Sequence, residues 1–444
     1  MRRGIGARCA STLTSRARST AAAEAAPRSH LLRSARTTAD AVEVEWDDGC
    51  AAAFHHTWLR DHCPGTIHPT TQQRNVPLAS IPRRVAPDEI ALGGDGESLQ
   101  LLWPEGGGAL PPASAFASRW LRRHAYSGNA AGAPPAELVS ASARDVAAAA
   151  AAAGGGDLGP LRLWGAKGLC GAPAEWAALV DERRRGVLGP HRFGALARLR
   201  RDGACLVDGV PPTMDATEEL ARCFGPPLET FYGRMWDTAP KAAAAVNDTA
   251  YSNVELPLHT DCAYLRQPPG LQLFHCVAQA IAEEGDAAAA GNTRLCDGFA
   301  VAEELRRRSP DAFAFFCAAP IPFECREAGV HVRSLAPVFD LEPRSGALRC
   351  VRYNETDRGT LDCLGFDETA AFYEHAAALH GAIAALETEL RLDTGQAILI
   401  DNHRVMHGRR AFRGHRNLLG CYLPADDWQS LLRVARRERG EWEP

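Results

Sequence analysis

Leu258-His259-Thr260-Asp261 sets an imidazole and a carboxylate two residues apart. On a strand, residues i and i+2 point the same way, so both side chains reach one point in space. A His–carboxylate pair joined by a second, distant His makes a facial triad for Fe(II) and leaves coordination positions open. An oxygenase needs those positions for a co-substrate and for dioxygen; a closed tetrahedral site would not supply them. The pair alone is a weak signal. In a chain with 15 His, about one His-x-Asp is expected by chance.

What lends it weight is Asp401-Asn402-His403-Arg404-Val405-Met406-His407-Gly408-Arg409, which follows the apolar strand Ala397–Ile400. Nine residues beyond His407 stands Arg416, on a stretch alternating through Leu418, Gly420 and Tyr422, so Arg416 shares a face with Tyr422. A planar, always-charged fork suits the distal carboxylate of a dicarboxylate. Taken singly, these residues are a surface His, a capping Asp and a solvated Arg; together they point to chemistry.

Length and composition bound the answer. With 444 residues, 46% hydrophobic, the chain has enough apolar material for two or three domains. A net charge of −5 gives no basic nucleic-acid footprint. No apolar run is long enough to cross a bilayer, so a soluble protein without a membrane partner is expected. The 14 cysteines are scattered singletons such as Cys170, Cys205 and Cys363, which reads as reduced, mostly buried thiols. Residues 1–38 carry Arg2, Arg3, Arg8, Arg16, Arg18, Arg28, Arg33 and Arg36 against the single acid Glu24. That is the pattern of an organellar transit peptide, mitochondrial or, as the alternative, chloroplast; a disordered basic tail is the plainer reading.

A small β-rich domain is expected over 39–126. Val42, Val44 and Trp46 alternate up to the turn Asp47-Asp48-Gly49, and a second hairpin bends at Gly93-Gly94-Asp95-Gly96. The Ala/Gly/Pro-rich stretch 127–160 reads as a linker. From 161 to 444 the pattern gives strands at Ala204–Val210, Leu271–Val277, Leu348–Asn354, Ala397–Asp401 and Arg416–Leu423, and helices over Phe299–Arg308 and Glu368–Leu390. Asp215 and Glu218 have capping-box spacing. The fold class expected is mainly β with flanking helices, an antiparallel core of the jelly-roll kind.

The residues quoted above, with several further stretches, resemble the γ-butyrobetaine and trimethyllysine dioxygenases within the taurine-dioxygenase-like group. Those stretches are Tyr232-Gly233-Arg234-Met235-Trp236, Asp248-Thr249-Ala250-Tyr251, Pro269-Gly270-Leu271-Gln272-Leu273-Phe274-His275-Cys276, Arg352-Tyr353-Asn354 and Gly420-Cys421-Tyr422. In the small domain, Trp58-Leu59-Arg60-Asp61-His62-Cys63 matches as well. The resemblance runs from about residue 42 to 430. It implies a double-stranded β-helix, Fe(II), 2-oxoglutarate as co-substrate, ascorbate as a support of activity, and homodimer formation. His259, Asp261 and His407 would hold iron, and Arg416 the far carboxylate of 2-oxoglutarate. Thr293 stands where relatives place a hydroxyl beside that arginine; as a sequence feature it is equally a turn-capping Thr.

The resemblance also implies a cage of Tyr232, Trp236, Tyr251 and Tyr422. A quaternary ammonium donates no hydrogen bond and is held by the negative faces of rings, although each ring alone is more often core packing. Asp248 stands where butyrobetaine enzymes carry a neutral amide. An anion there would pair with the α-ammonium of trimethyllysine and repel a bare carboxylate; as a plain sequence feature, Asp248 is a turn residue. Asn354 would bind the substrate carboxylate. The small-molecule substrate expected is therefore a trimethylammonium amino acid, trimethyllysine ahead of γ-butyrobetaine. A non-catalytic β-domain and a dioxygenase acting on another amino acid are the competing readings.

The sequence departs from the family in two places. His403 replaces a usual Trp. Of four zinc-ligand positions in butyrobetaine relatives, only Cys63 and a nearby His68 remain, so no structural zinc is expected.

Overall fold

The computed structural model describes residues 30–104, 110–131, 158–169, 171–238, 253–281, 290–327, 329–343 and 345–441. Most of the arginine-rich leader and the core of the expected linker, with its alanine run, lie outside these residues, as do Asp248 and Tyr251.

The site is positioned by two antiparallel sheets. The first runs in the spatial order Ala174–Glu175, Ala204–Asp208, Ala397–Asp401, Leu271–Ile281, Gly414–Leu423, Trp236–Asp237, antiparallel but for its short edge strand Ala174–Glu175. Alternation decides its two faces. Leu271, Leu273, Leu399, Cys421 and Leu423 point outward into a core with Leu196, Leu199, Leu220, Phe224, Trp428 and Leu432. Those partners come from the helices Pro190–Asp202, Met214–Ala221 and Ala425–Glu438 and the turn after Met214–Ala221. Gln272, Phe274, Leu418 and Tyr422 point to the other side, where they line a cavity. The second sheet has the order Leu256–His259, Val405–Arg409, Thr293–Asp297, Thr388–Leu390 and contributes the opposite wall through His259, Thr293, His407 and Arg409.

Helix and strand occur in about equal amounts, which corrects the expectation of a mainly β chain. The surplus is helix that the strand count overlooked: Pro310–Ala318 and the 14-residue Ala425–Glu438. The latter buries Trp428, Leu432 and Ala435, spaced to fall on one helical face. Other boundaries shift modestly: the long helix is Phe366–Leu386, and Thr388–Leu390 is a strand. Helix Met214–Ala221 is capped by the Thr213 hydroxyl, which accepts from the Ala216 N–H at 3.2 Å, rather than by Asp215.

The N-terminal part holds two three-stranded sheets, and both expected hairpins form, Ala41–Trp46 with Ala51–His55 and Glu89–Gly93 with Ser98–Leu102. Its fold begins earlier than the boundary at 38. Leu32–Thr37 is a strand paired with Ala41–Trp46, and Leu32 is buried. Arg33 and Arg36 therefore belong to a strand face, where basic residues and exposure resemble a leader in sequence alone.

This part is locked onto the loop that follows Leu348–Val351. Asp61 is buried and accepts from Arg358 Nη2 through both oxygens at 2.8 Å, from Arg74 Nη1 at 2.9 Å and from the Tyr373 hydroxyl at 2.7 Å. Trp58 Nε1 donates to the Leu361 carbonyl at 2.8 Å, and Gln73 Nε2 donates to Asp357 Oδ1 at 2.9 Å. No helix among the described residues is long and apolar enough to cross a membrane.

Candidate active site

Strand pairing brings the distant histidine to the pair. His259 and His407 are direct register partners between Leu256–His259 and Val405–Arg409, and their rings lie 4.4 Å apart. Gly408 allows this. A Cβ there would come within 2.6 Å of the Leu256 carbonyl and 3.0 Å of the Pro257 carbonyl, so a side chain would push the strands apart.

Asp261 reaches the same point by a different route from simple strand alternation. The strand ends at His259, and Asp261 sits in the following turn, next to Cys262 with φ of 57°. For a non-glycine residue that left-handed conformation costs free energy and is kept only where surroundings enforce it. Asn402, fully buried, does the enforcing. Its Oδ1 accepts the Asp261 N–H at 2.8 Å, and its Nδ2 donates to the carbonyls of Asp261 and Pro269, each at 3.0 Å.

One ligand atom from each of His259, Asp261 and His407 lies within 4.8 Å of the other two, the only such group of metal-binding type among the described residues. The tautomer fits a cation. His259 Nδ1–H donates to the Pro257 carbonyl at 2.7 Å, which leaves Nε2 as the atom facing Asp261 Oδ1 at 3.1 Å. His407 Nε2 lies 3.8 Å from Asp261 Oδ2. That oxygen also accepts from the Tyr422 hydroxyl at 2.7 Å and from Gln272 Nε2.

Burial opposes charge on both imidazoles, but the hydrogen bond and charge of Asp261 raise His259 to about 9. At His407 burial and the neighbouring His259 bring the value down to about 3. Burial would raise the Asp261 carboxyl, but His407 and His259 hold it well below the usual range. Two imidazole nitrogens and one carboxylate oxygen gathered this closely suit a divalent ion.

Arg416 lies on the same cavity, buried, with its Nη2 3.3 Å from Thr293 Oγ1. Among the described residues its buried Nε has no hydrogen-bond partner. Burial lowers the guanidinium to about 10, so it stays charged at neutral pH. A buried fork with an unsatisfied donor is complementary to a carboxylate.

Three of the four expected cage rings, Tyr232, Trp236 and Tyr422, line this cavity; Tyr251 lies outside the described residues, as does Asp248. Trp236 and Tyr422 have centroids 6.3 Å apart, and the Tyr232 hydroxyl is 2.9 Å from that of Tyr264. Gly420 makes room for the indole: a Cβ there would come within 2.2 Å of the Trp236 ring.

Asn354 is in the cavity wall too, but its amide is engaged by its own loop. Oδ1 accepts from the Thr356 and Asp357 N–H groups at 3.0 and 3.1 Å, and Nδ2 donates to Asp357 Oδ2 at 2.7 Å. His403 turns away from the triad, with Nε2 donating to the Pro268 carbonyl at 2.9 Å. His68 Nδ1 accepts from the Thr70 and Thr71 N–H groups at 3.2 and 3.1 Å, and the Cys63 thiol lies 3.8 Å from the Ala113 carbonyl.

Sequence reading missed Gln272, Asn402, Asp357 and Gln73. Gln272 carried a signal, since it is a lone amide in the apolar run Leu271–Phe274. Nothing local marked the other three.

Residues 173–422 match the family model described as "Taurine catabolism dioxygenase TauD, TfdA family", and residues 33–122 match one described as "Gamma-butyrobetaine hydroxylase-like, N-terminal". The chain belongs to the TauD/TfdA dioxygenase family. Among its relatives, the mitochondrial trimethyllysine dioxygenase of Rattus norvegicus is 30% identical over 86% of this chain and 82% of that protein. The trimethyllysine dioxygenase of Meyerozyma guilliermondii is 32% identical over 89% and 93%. The gamma-butyrobetaine dioxygenase of Pseudomonas sp. (strain AK-1) is 30% identical over 91% and 96%.

Proposed function

We propose that this chain is an Fe(II)- and 2-oxoglutarate-dependent dioxygenase that hydroxylates N6,N6,N6-trimethyl-L-lysine to its 3-hydroxy product, the first step of carnitine biosynthesis. The observation that carries it is the convergence of His259, Asp261 and His407 on one cavity walled by Tyr232, Trp236 and Tyr422. The architecture we assign to the two facing sheets is a double-stranded β-helix.

When bound, iron and 2-oxoglutarate supply the oxidation: dioxygen is consumed, 2-oxoglutarate leaves as succinate and CO2, and one oxygen atom enters a substrate C–H bond. The rest falls to the chain's own groups. The two imidazoles of His259 and His407 and the carboxylate of Asp261 would hold the metal. Arg416, with Thr293 beside it, takes the far carboxylate of 2-oxoglutarate. The ring faces of Tyr232, Trp236 and Tyr422 would receive the trimethylammonium, with Tyr251 the expected fourth ring. Asp248 would pair with the α-ammonium and Asn354 would meet the carboxylate. Leu256, Phe274 and Leu418 keep water from the reacting carbon. We also propose a mitochondrial address. It rests on the arginine-rich leader and on the mitochondrial names of animal relatives.

The second reading is γ-butyrobetaine dioxygenase, favoured by the Pseudomonas relative of equal identity. Succinate release by the purified chain with Fe(II), 2-oxoglutarate and ascorbate, measured against both substrates, separates the two. We expect trimethyllysine to give the higher kcat/KM. A preference for γ-butyrobetaine would refute the substrate assignment, and no substrate-stimulated succinate with either would refute the activity.

A further inference from the structure

Gln272 and Tyr422 are direct register partners on the adjacent strands Leu271–Ile281 and Gly414–Leu423. Both line the cavity, and both donate to the same atom, Asp261 Oδ2: the Tyr422 hydroxyl at 2.7 Å, and Gln272 through Nε2. Asp261 comes from elsewhere, the turn after Leu256–His259 in the facing sheet. A cross-strand pair in one sheet thus grips a carboxylate that belongs to the other. The second oxygen is placed differently. Oδ1 faces His259 Nε2 at 3.1 Å, whereas His407 Nε2 is 3.8 Å from Oδ2, beyond hydrogen-bond reach.

Gln272 is a costly residue in this position. It is 2% exposed and stands between Leu271 and Leu273, whose side chains turn to the opposite face of the sheet. An ionised carboxylate only accepts hydrogen bonds, so the amide turns its nitrogen to Asp261. Among the described residues the buried Oε1 then has no hydrogen-bond partner. An unmet buried acceptor opposes folding, and an apolar side chain of the same length would fill the space without that penalty. What the amide adds over such a side chain is its bond to Asp261. Tyr422 faces two ways as well. Its ring lies 6.3 Å from that of Trp236, in the wall that would receive the trimethylammonium, and its hydroxyl is on Asp261.

We propose that Gln272 and Tyr422 are positioning residues for the metal: by holding Oδ2 they leave Oδ1 as the Asp261 oxygen that ligates iron. This rests on the reading of His259, Asp261 and His407 as an iron site and deepens it. Tyr422 then has two separable duties, with the ring face serving the substrate and the hydroxyl serving the metal. Gln272 serves the metal alone. The pair also ties the cation-binding wall to the metal-binding carboxylate through a single side chain.

The test measures Fe(II) affinity of the full chain without oxygen, by competition with a chelating dye, alongside KM and kcat for trimethyllysine at saturating Fe(II). Gln272→Met keeps the length and removes the donor; Tyr422→Phe keeps the ring and removes the hydroxyl. Each is expected to weaken Fe(II) binding by about tenfold or more, the scale of losing a group that orients a metal ligand. That loss should exceed any change in KM. Tyr422→Leu, which removes the ring too, should raise KM well beyond the value for Tyr422→Phe. Iron affinity equal to wild type in either Gln272→Met or Tyr422→Phe overturns the role given to that residue and leaves the metal site intact. A Tyr422→Phe protein that loses substrate affinity and keeps its iron affinity shows a hydroxyl that serves the substrate, and that overturns the proposal too. Wild-type protein that binds no Fe(II) overturns the iron site itself, and this inference with it. Should Tyr422→Phe fail to fold, Gln272→Met decides by the same two measurements.

Discussion

Asp261→Ala is expected to yield a folded protein that neither retains iron nor turns over. Of the three converging side chains, Asp261 alone brings an anion, and it touches both others, at 3.1 Å from His259 Nε2 and 3.8 Å from His407 Nε2. Two neutral imidazoles on neighbouring strands offer a ferrous ion little charge compensation. We expect substrate-dependent succinate release to fall by at least about a thousandfold, equivalent to about 4 kcal/mol. Metal analysis of the purified variant should find far less than one iron per chain. The circular dichroism spectrum should match wild type, because Asn402 grips the turn through the backbone of Asp261 rather than its carboxylate. A variant that holds stoichiometric iron at normal turnover would remove Asp261 from the metal site.

Asp61→Ala is expected to give the largest loss of stability. Its carboxylate is the shared partner of two buried guanidiniums, Arg74 and Arg358, and of the Tyr373 hydroxyl. Burial works against the ionised form, yet Arg358 and Arg74 hold the Asp61 carboxyl well below the usual range. Next to it, burial depresses His62 to about 3, so that ring stays neutral. Removing the one anion leaves two cations in a dry interior, which costs about 3–5 kcal/mol. An earlier midpoint in chemical denaturation checks this; a midpoint within error of wild type would contradict it.

The two effects differ in how far the sequence announces them. His259 and Asp261 are visible as a short pattern, and His407 and Arg416 stand out beside an apolar run; charge and spacing carry the signal. Their meeting depends on register between strands almost 150 residues apart, and no local periodicity encodes that. The resemblance to known dioxygenases supplied it. Asp61 was visible only as one letter in the matching stretch Trp58–Cys63, because its partners Arg358 and Tyr373 lie some 300 residues downstream. Asn402 was hidden for a related reason. An Asn next to a His reads as loop chemistry until its two carbonyl acceptors are seen. Helix Ala425–Glu438 was legible in the spacing of Trp428, Leu432 and Ala435 but lay beyond the last strand and was passed over. Strand Leu32–Thr37 was masked by its arginines, which share the composition of a targeting leader while their backbone pairs with Ala41–Trp46.

The account depends most on one shared ion. Crystals of the full chain grown without oxygen, with Fe(II) and 2-oxoglutarate, and measured at the iron absorption edge, test it directly. The account predicts a single anomalous peak bonded to His259 Nε2, to a carboxylate oxygen of Asp261 and to His407, with the far carboxylate of 2-oxoglutarate on Arg416. An iron peak away from these side chains, or one bonded to His259 and Asp261 with His407 left out, would contradict it.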